Sequence, residues 1–86
     1  MAATWRVFTL DVWGNEEDGF DVNDRWPAGE IETSDEPTDA EVWCRLLEAG
    51  IARGLISDGE FDWCDEALLC VSEAATGRPV FQLERR

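Results

Sequence analysis

Lysine, histidine and tyrosine are absent from this chain of 86 residues, and its seven cations are all arginine. The missing histidine removes the usual general base near neutral pH and the commonest metal ligand. Catalytic triads of the Ser-His-Asp and Cys-His types are thereby excluded within the chain. No run approaches the roughly 20 apolar residues of a membrane-spanning helix. The opening MAATWRVFTLDVW lacks the sustained apolar core and cleavage signature of a secretion signal, so the expected location is the cytoplasm. Cysteine is scarce, at Cys44, Cys64 and Cys70. An odd number with no Cys-x-x-Cys pair suggests neither a disulfide framework nor a zinc site, and free thiols are expected.

What the chain does have is acid. Its net charge is −13, and between Asp11 and Glu41 twelve carboxylates accompany a single cation, Arg25, so that 31 residues carry −11. A field of that sign repels nucleic acid and anionic membrane and attracts basic protein surfaces. Five Trp and four Phe do not belong to an acidic disordered tail, so residues 1–86 are expected to form a single small folded domain.

Residues 4–13 alternate Trp5, Val7, Thr9, Asp11 and Trp13 with Arg6, Phe8, Leu10 and Val12, which predicts a central strand. Turn signals at Gly14-Asn15 and Asp18-Gly19 join it to a second strand at about 19–24 through a loop longer than two residues. The stretch Asn23–Pro37, broken by Pro27, Gly29 and Pro37, reads as irregular. It leaves room for a short strand Glu30–Thr33 whose two glutamates point away from Ile31. Thr38-Asp39-Ala40-Glu41 is a capping box opening a helix, with an apolar stripe of Val42, Trp43, Leu46, Leu47, Gly50 and Ile51. Arg53 and Gly54 mark the helix end, and Ser57-Asp58-Gly59 a turn. Glu60–Asp65 reads as a half-buried strand, Asp65-Glu66 as a turn, and Leu68–Glu73 with Pro79–Glu84 as a hairpin about Ala75-Thr76-Gly77-Arg78. The expected class is α+β, an antiparallel sheet of four to five strands with one helix packed on one face.

The acids do not form a catalytic or metal-binding motif. Asp11, between Leu10 and Val12, has no partner that would tune it as an acid or base, and no catalytic residue is expected. The segment DVNDRWPAGEIE sets Asp21, Asn23 and Glu32 at the first, third and twelfth places of a calcium loop. Arg25 and Trp26 then occupy the places that need an oxygen ligand and a glycine, so no metal is expected. No cofactor motif is present, and the absence of a basic patch argues against direct nucleic-acid binding.

The acids suit a different role. Carboxylates two apart on a strand lie about 6.6–6.8 Å from each other, twice the roughly 3.4 Å spacing of phosphates along one DNA strand. Glu30 with Glu32 and Glu60 with Asp62 have that spacing, and Glu16, Glu17 and Asp18 form a dense turn. Asp21, Asp24, Asp35 and Glu36 complete the candidate partner-binding acids. Trp26, between Arg25 and Pro27, is the candidate apolar anchor. Trp43 and Trp63 are expected in the core, with Trp5 and Trp13 as strand residues.

The segment Leu10–Asp24, LDVWGNEEDGFDVND, resembles a pattern found in small acidic proteins of bacteriophages and mobile elements, as does the closing ATGRPVFQL of Ala75–Leu83. No enzymatic motif comes with that resemblance. It implies a setting in which short acidic proteins occupy a host protein, as anti-CRISPR proteins and other DNA mimics do.

Two readings follow. The first is a non-enzymatic acidic protein that occupies a basic nucleic-acid-binding surface of a host protein, such as a defence complex. The alternative is a small phage or bacterial assembly protein that self-associates, its acidity serving solubility.

Overall fold

The computed structural model describes residues 2–52 and 59–86. Along the chain lie strand β1 (Ala2–Asn15), strand β2 (Gly19–Ser34), helix α1 (Asp39–Glu48), and strands β3 (Gly59–Asp65), β4 (Leu68–Glu73) and β5 (Pro79–Arg85). The strands form one five-stranded sheet in the order β2-β1-β5-β4-β3, every neighbouring pair antiparallel. The fold is α+β.

One face of the sheet is apolar and carries the helix. Cross-strand pairs bring Val7, Leu83, Leu69 and Trp63 into one row, Phe81, Val71 and Phe61 into the next, and Ile31 beside Trp5 on the first row's other side. Paired residues on adjacent strands point the same way, so these rows make a continuous surface. Val42 and Leu46 of α1 close over it, and both are fully buried. Trp5 is the largest buried side chain, 1% exposed. Its indole Nε1 donates to Thr33 Oγ1 at 2.9 Å, so the one polar end of the ring keeps a partner inside the core. Trp63 meets the Trp5 ring edge-on at 5.8 Å and donates its own Nε1 to Asp39 Oδ1 at 2.8 Å. That bond fastens β3 to the first turn of the helix.

The helix ends are built locally. Thr38 Oγ1 accepts from the Glu41 amide at 3.2 Å, which is half of a capping box. The other half is diverted, because the Glu41 carboxylate accepts from the backbone amide and the hydroxyl of Ser34. These hydrogen bonds, hydroxyl first, hold the Glu41 carboxyl below the usual carboxylate range. At the other end the Gly50 amide bonds Leu47 O and the Ile51 amide bonds Leu46 O, with Gly50 at φ 76°. This pairing closes the helix through a left-handed residue. Gly50 therefore ends the helix rather than lying on its buried stripe. Leu47 leaves that stripe as well, at 50% exposed. The expected boundary at Arg53 and Gly54 and the Ser57-Asp58 part of the expected turn lie outside the described residues.

The stretch read as irregular is the clearest departure from the sequence reading. Asn23–Pro37 contributes most of β2, a strand of 16 residues that continues through Pro27 and Gly29. The expected short strand Glu30–Thr33 is only its final portion. β2 sits at the sheet edge and pairs with β1 alone. An edge strand leaves alternate N–H groups without a ladder partner, so a proline there costs no hydrogen bond. The register slips at Asn23 and at Ala28, each an extra β2 residue against β1, and such bulges sharpen the strand twist.

Candidate partner-binding arm

β1 pairs with β2 along its whole length, from Ala2 with Ser34 to Asn15 with Gly19. Its pairing with β5 covers only Trp5 to Thr9. Beyond Thr9 the first two strands continue as a two-stranded ribbon, and six residues at about 3.3 Å each carry it roughly 20 Å further. The molecule is accordingly elongated, 42 × 22 × 19 Å.

The tip of this arm is tightly determined. Asn15 Oδ1 accepts from the amides of Glu17 at 3.0 Å and Asp18 at 2.8 Å, and Asn15 Nδ2 donates to Asp18 Oδ2 at 3.2 Å. The turn Glu16–Asp18 therefore has three residues and ends in Gly19 at φ 87°, the pattern of a turn followed by a left-handed glycine. Gly14 at φ 107° lies so close to the returning strand that a Cβ there would come within 2.1 Å of the Gly19 carbonyl oxygen.

The two sides of the arm differ in chemistry. On one, Trp13 pairs with Asp21, Asp11 with Asp24, and Thr9 with Trp26. Three carboxylates thus lie between two exposed tryptophans, Trp13 at 64% and Trp26 at 52%. Asp11 also accepts from Asn23 Nδ2 at 3.0 Å. The other side sets Leu10 beside Arg25, Val12 beside Val22 and Phe8 beside Pro27. Arg25 stacks over the Phe8 ring at 4.0 Å and turns back to Gln82 and Glu84 on β5.

The twelve residues singled out in the sequence do not make one patch. Glu16, Glu17, Asp18, Asp21, Asp24 and Trp26 share the arm. Glu30 and Glu32 lie on the β2 edge, on the sheet face away from the helix and opposite in direction to Ile31. Glu60 and Asp62 share that face but sit on β3, the far edge, four strand spacings or roughly 19 Å away. Asp35 and Glu36 occupy the connection into the helix. Two of the twelve are ion-paired within the molecule: Glu30 with Arg86 at 3.0 Å, and Asp35 with Arg85. Among the described residues no arginine pairs with Glu16, Glu17, Asp18, Asp21 or Asp24.

Besides Asp11, Trp13 is the arm residue that lies outside the candidate set read from the sequence. Its alternation with Asp11 and its place beside a turn were the available signal, but strand tryptophans are mostly core. The fully buried tryptophan is instead Trp5, while Trp43 and Trp63 are only half-buried at the core margin. A groove of about 660 Å³ between β2 and α1 is lined by Glu30, Glu32, Glu41 and Glu48 with Arg45. The lowered pKa of Glu41 is the reverse of what a general acid there would need. Comparison with known proteins returned no matching family model, no matching curated protein and no matching solved structure.

Proposed function

We propose that the protein is a non-enzymatic binding protein that sets its acidic arm against the basic nucleic-acid-binding surface of another protein and so excludes nucleic acid from it. The observation that carries this reading is the arm itself: six carboxylates, Asp11 among them, without an arginine partner among the described residues, on a ribbon projecting past the sheet, beside Trp13 and Trp26. Desolvated tryptophans supply affinity at protein interfaces, and complementary charge supplies approach rate and orientation. The resemblance to small acidic phage proteins points to a host defence complex, a CRISPR effector among them, as the class of partner.

The self-association alternative would use an exposed strand edge, and β2 is a long one. Its two bulges, Pro27 and the outward Glu30 and Glu32 are the features that hinder edge-to-edge pairing, which favours the first reading.

The test is capture from a bacterial lysate at low salt on the immobilised protein, followed by a salt gradient and by competition with duplex DNA. The expected outcome is a nucleic-acid-binding protein that DNA displaces and that a Glu16→Lys/Glu17→Lys/Asp18→Lys variant fails to retain. An identical eluate from both proteins, or a bound protein indifferent to DNA and salt, would sink the reading. So would a stable oligomer by size exclusion at low concentration.

A further inference from the structure

Cys64 and Cys70 are six residues apart, with no motif joining them in the sequence. The β3–β4 hairpin folds them together. Asp62 pairs with Cys70, Trp63 with Leu69 and Asp65 with Leu68, so Cys64 is the extra residue of a bulge. That bulge brings the two Sγ atoms to 3.8 Å. The alternation of β4, with Leu69 and Val71 in the core, puts Cys70 on the sheet face away from the helix. Cys44 lies on α1, across the sheet from that pair.

The two thiols have different surroundings. Cys64 is exposed and makes a long sulfur contact to Asp62 O at 3.8 Å. Cys70 is half-buried, and burial, the neighbouring Cys64 thiol and the Asp62 charge push its thiol up, against a hydrogen bond from Gln82 that lowers it. The thiolate is the nucleophile in thiol–disulfide exchange, and access decides which sulfur a dissolved disulfide can meet.

We propose that Cys64 and Cys70 form a two-thiol site that a low-molecular-weight disulfide oxidises to an intramolecular disulfide, Cys64 attacking first and Cys70 resolving. In the first step the Cys64 thiolate attacks one sulfur of the dissolved disulfide, forming a mixed disulfide and releasing one small thiolate. In the second the Cys70 thiolate attacks Cys64 Sγ, forming the Cys64–Cys70 bond and releasing the other. The protein loses two electrons and two protons, and the small disulfide gains both as two thiols. The product staples β3 to β4 at the bulge, and neither the arm nor its partner is involved.

The experiment treats the reduced full chain with oxidised glutathione, then alkylates and digests it with trypsin. Cys64 and Cys70 fall in one tryptic peptide that runs from after Arg53 to Arg85, because the Arg78–Pro79 bond resists trypsin, and Cys44 falls in another. The expected result is loss of two hydrogens confined to the first peptide, with Cys44 fully alkylated. In guanidinium that selectivity is expected to be lost. Cys70→Ser should accumulate one glutathione on Cys64, and Cys64→Ser should take up glutathione on Cys70 more slowly. Alkylation of all three thiols after treatment, or bonds that include Cys44 in the native protein, would overturn the site. Equal uptake by the two variants would overturn the order of attack. The wild-type peptide map decides the pairing even if either variant folds poorly.

Discussion

Replacing Gly14 by alanine adds one methyl group and leaves every charge of the arm in place. In the folded arm that methyl would stand 2.1 Å from the Gly19 carbonyl oxygen, on a residue held at φ 107°. The left-handed backbone alone costs a non-glycine residue about 1–2 kcal/mol, and the contact adds to it. Beyond Thr9 the arm is a two-stranded ribbon, and such ribbons are marginal on their own. The strain should therefore be relieved by opening the tip, not by unfolding the core. One to two kcal/mol corresponds to roughly a 5- to 30-fold change in the closed-to-open ratio. Native-state hydrogen exchange would read it: amide protection within 10–15 and 19–25 should fall by at least that factor, while Val7, Leu69 and Leu83 keep theirs. Gly77→Ala is the control, since Gly77 is also left-handed, at φ 76°, but a Cβ there meets nothing within 4 Å. Its effect should be smaller and confined to the β4–β5 turn. Equal loss of protection in core and arm would refute the view that the arm opens as a separate unit. Unchanged protection at the tip would refute the close approach itself.

The unpaired and paired acids should behave differently in binding. Glu16→Gln/Glu17→Gln/Asp18→Asn should weaken capture of a basic partner roughly 3- to 150-fold, from three exposed charge contacts, whereas Glu30→Gln and Asp35→Asn, already engaged by Arg86 and Arg85, should change it little in the same retention assay. The Glu41 carboxyl is held low by Ser34, so its charged form is favoured by folding. That contribution is present above the ordinary value of 4.5 and is lost as pH falls through the lower folded value. Urea midpoints of wild type and Ser34→Ala should therefore differ at pH 7 and converge in acid, and a gap that widens on acidification would contradict the assignment. Thr33→Val keeps the shape of the side chain but strands the Trp5 indole N–H in the core. It should cost about 1–3 kcal/mol, seen as a drop of at least about 4 °C in Tm; no shift would mean that the buried hydrogen bond is not needed.

Local chemistry made α1 legible, because a threonine cap and apolar residues at spacings of three and four are enough to specify a helix start and its buried face. The same holds for the β4–β5 hairpin, where two alternating runs flank a glycine-containing turn. Asn23–Pro37 reads as irregular because the intrinsic preferences of its breakers oppose a strand. Pro27 and Gly29 are compatible with a strand once that strand is an edge and carries bulges, and edge position is a property of the sheet order. The helix end was misplaced for a related reason. Gly50 fits the periodicity of the stripe, yet its left-handed backbone lets the Ile51 amide return to Leu46 O. Among the candidate acids, adjacency along the chain found the tip. It could not separate Glu17 from Glu30, because Arg86 reaches Glu30 from 56 residues away. The Cys64–Cys70 pair is hidden likewise, since its approach depends on the register of the β3–β4 hairpin and the bulge at Cys64.

The placement of the arginines gives the acidity its shape. Arg25, Arg85 and Arg86 join β2 and the segment after it to β5 and the chain end, through Glu84, Asp35 and Glu30. Arg25 neutralises charge where the ribbon leaves the sheet, Arg85 and Arg86 do so toward the other end of β1 and β2, and none of the three reaches past Arg25 toward the turn. Exposed pairs of this kind contribute little stability individually, but they sort the field. Among the described residues, the root of the arm holds Arg25 while its distal half pairs with no arginine. A protein that needed acid only for solubility would gain nothing from that sorting, because charge repels aggregation wherever it lies on the surface. A protein that must orient a docking ribbon toward a basic groove gains from it directly. On the proposed reading, charge concentrated on the projecting end would steer that end in first, and Trp13 and Trp26 would then arrive beside the groove walls, where losing water makes them count.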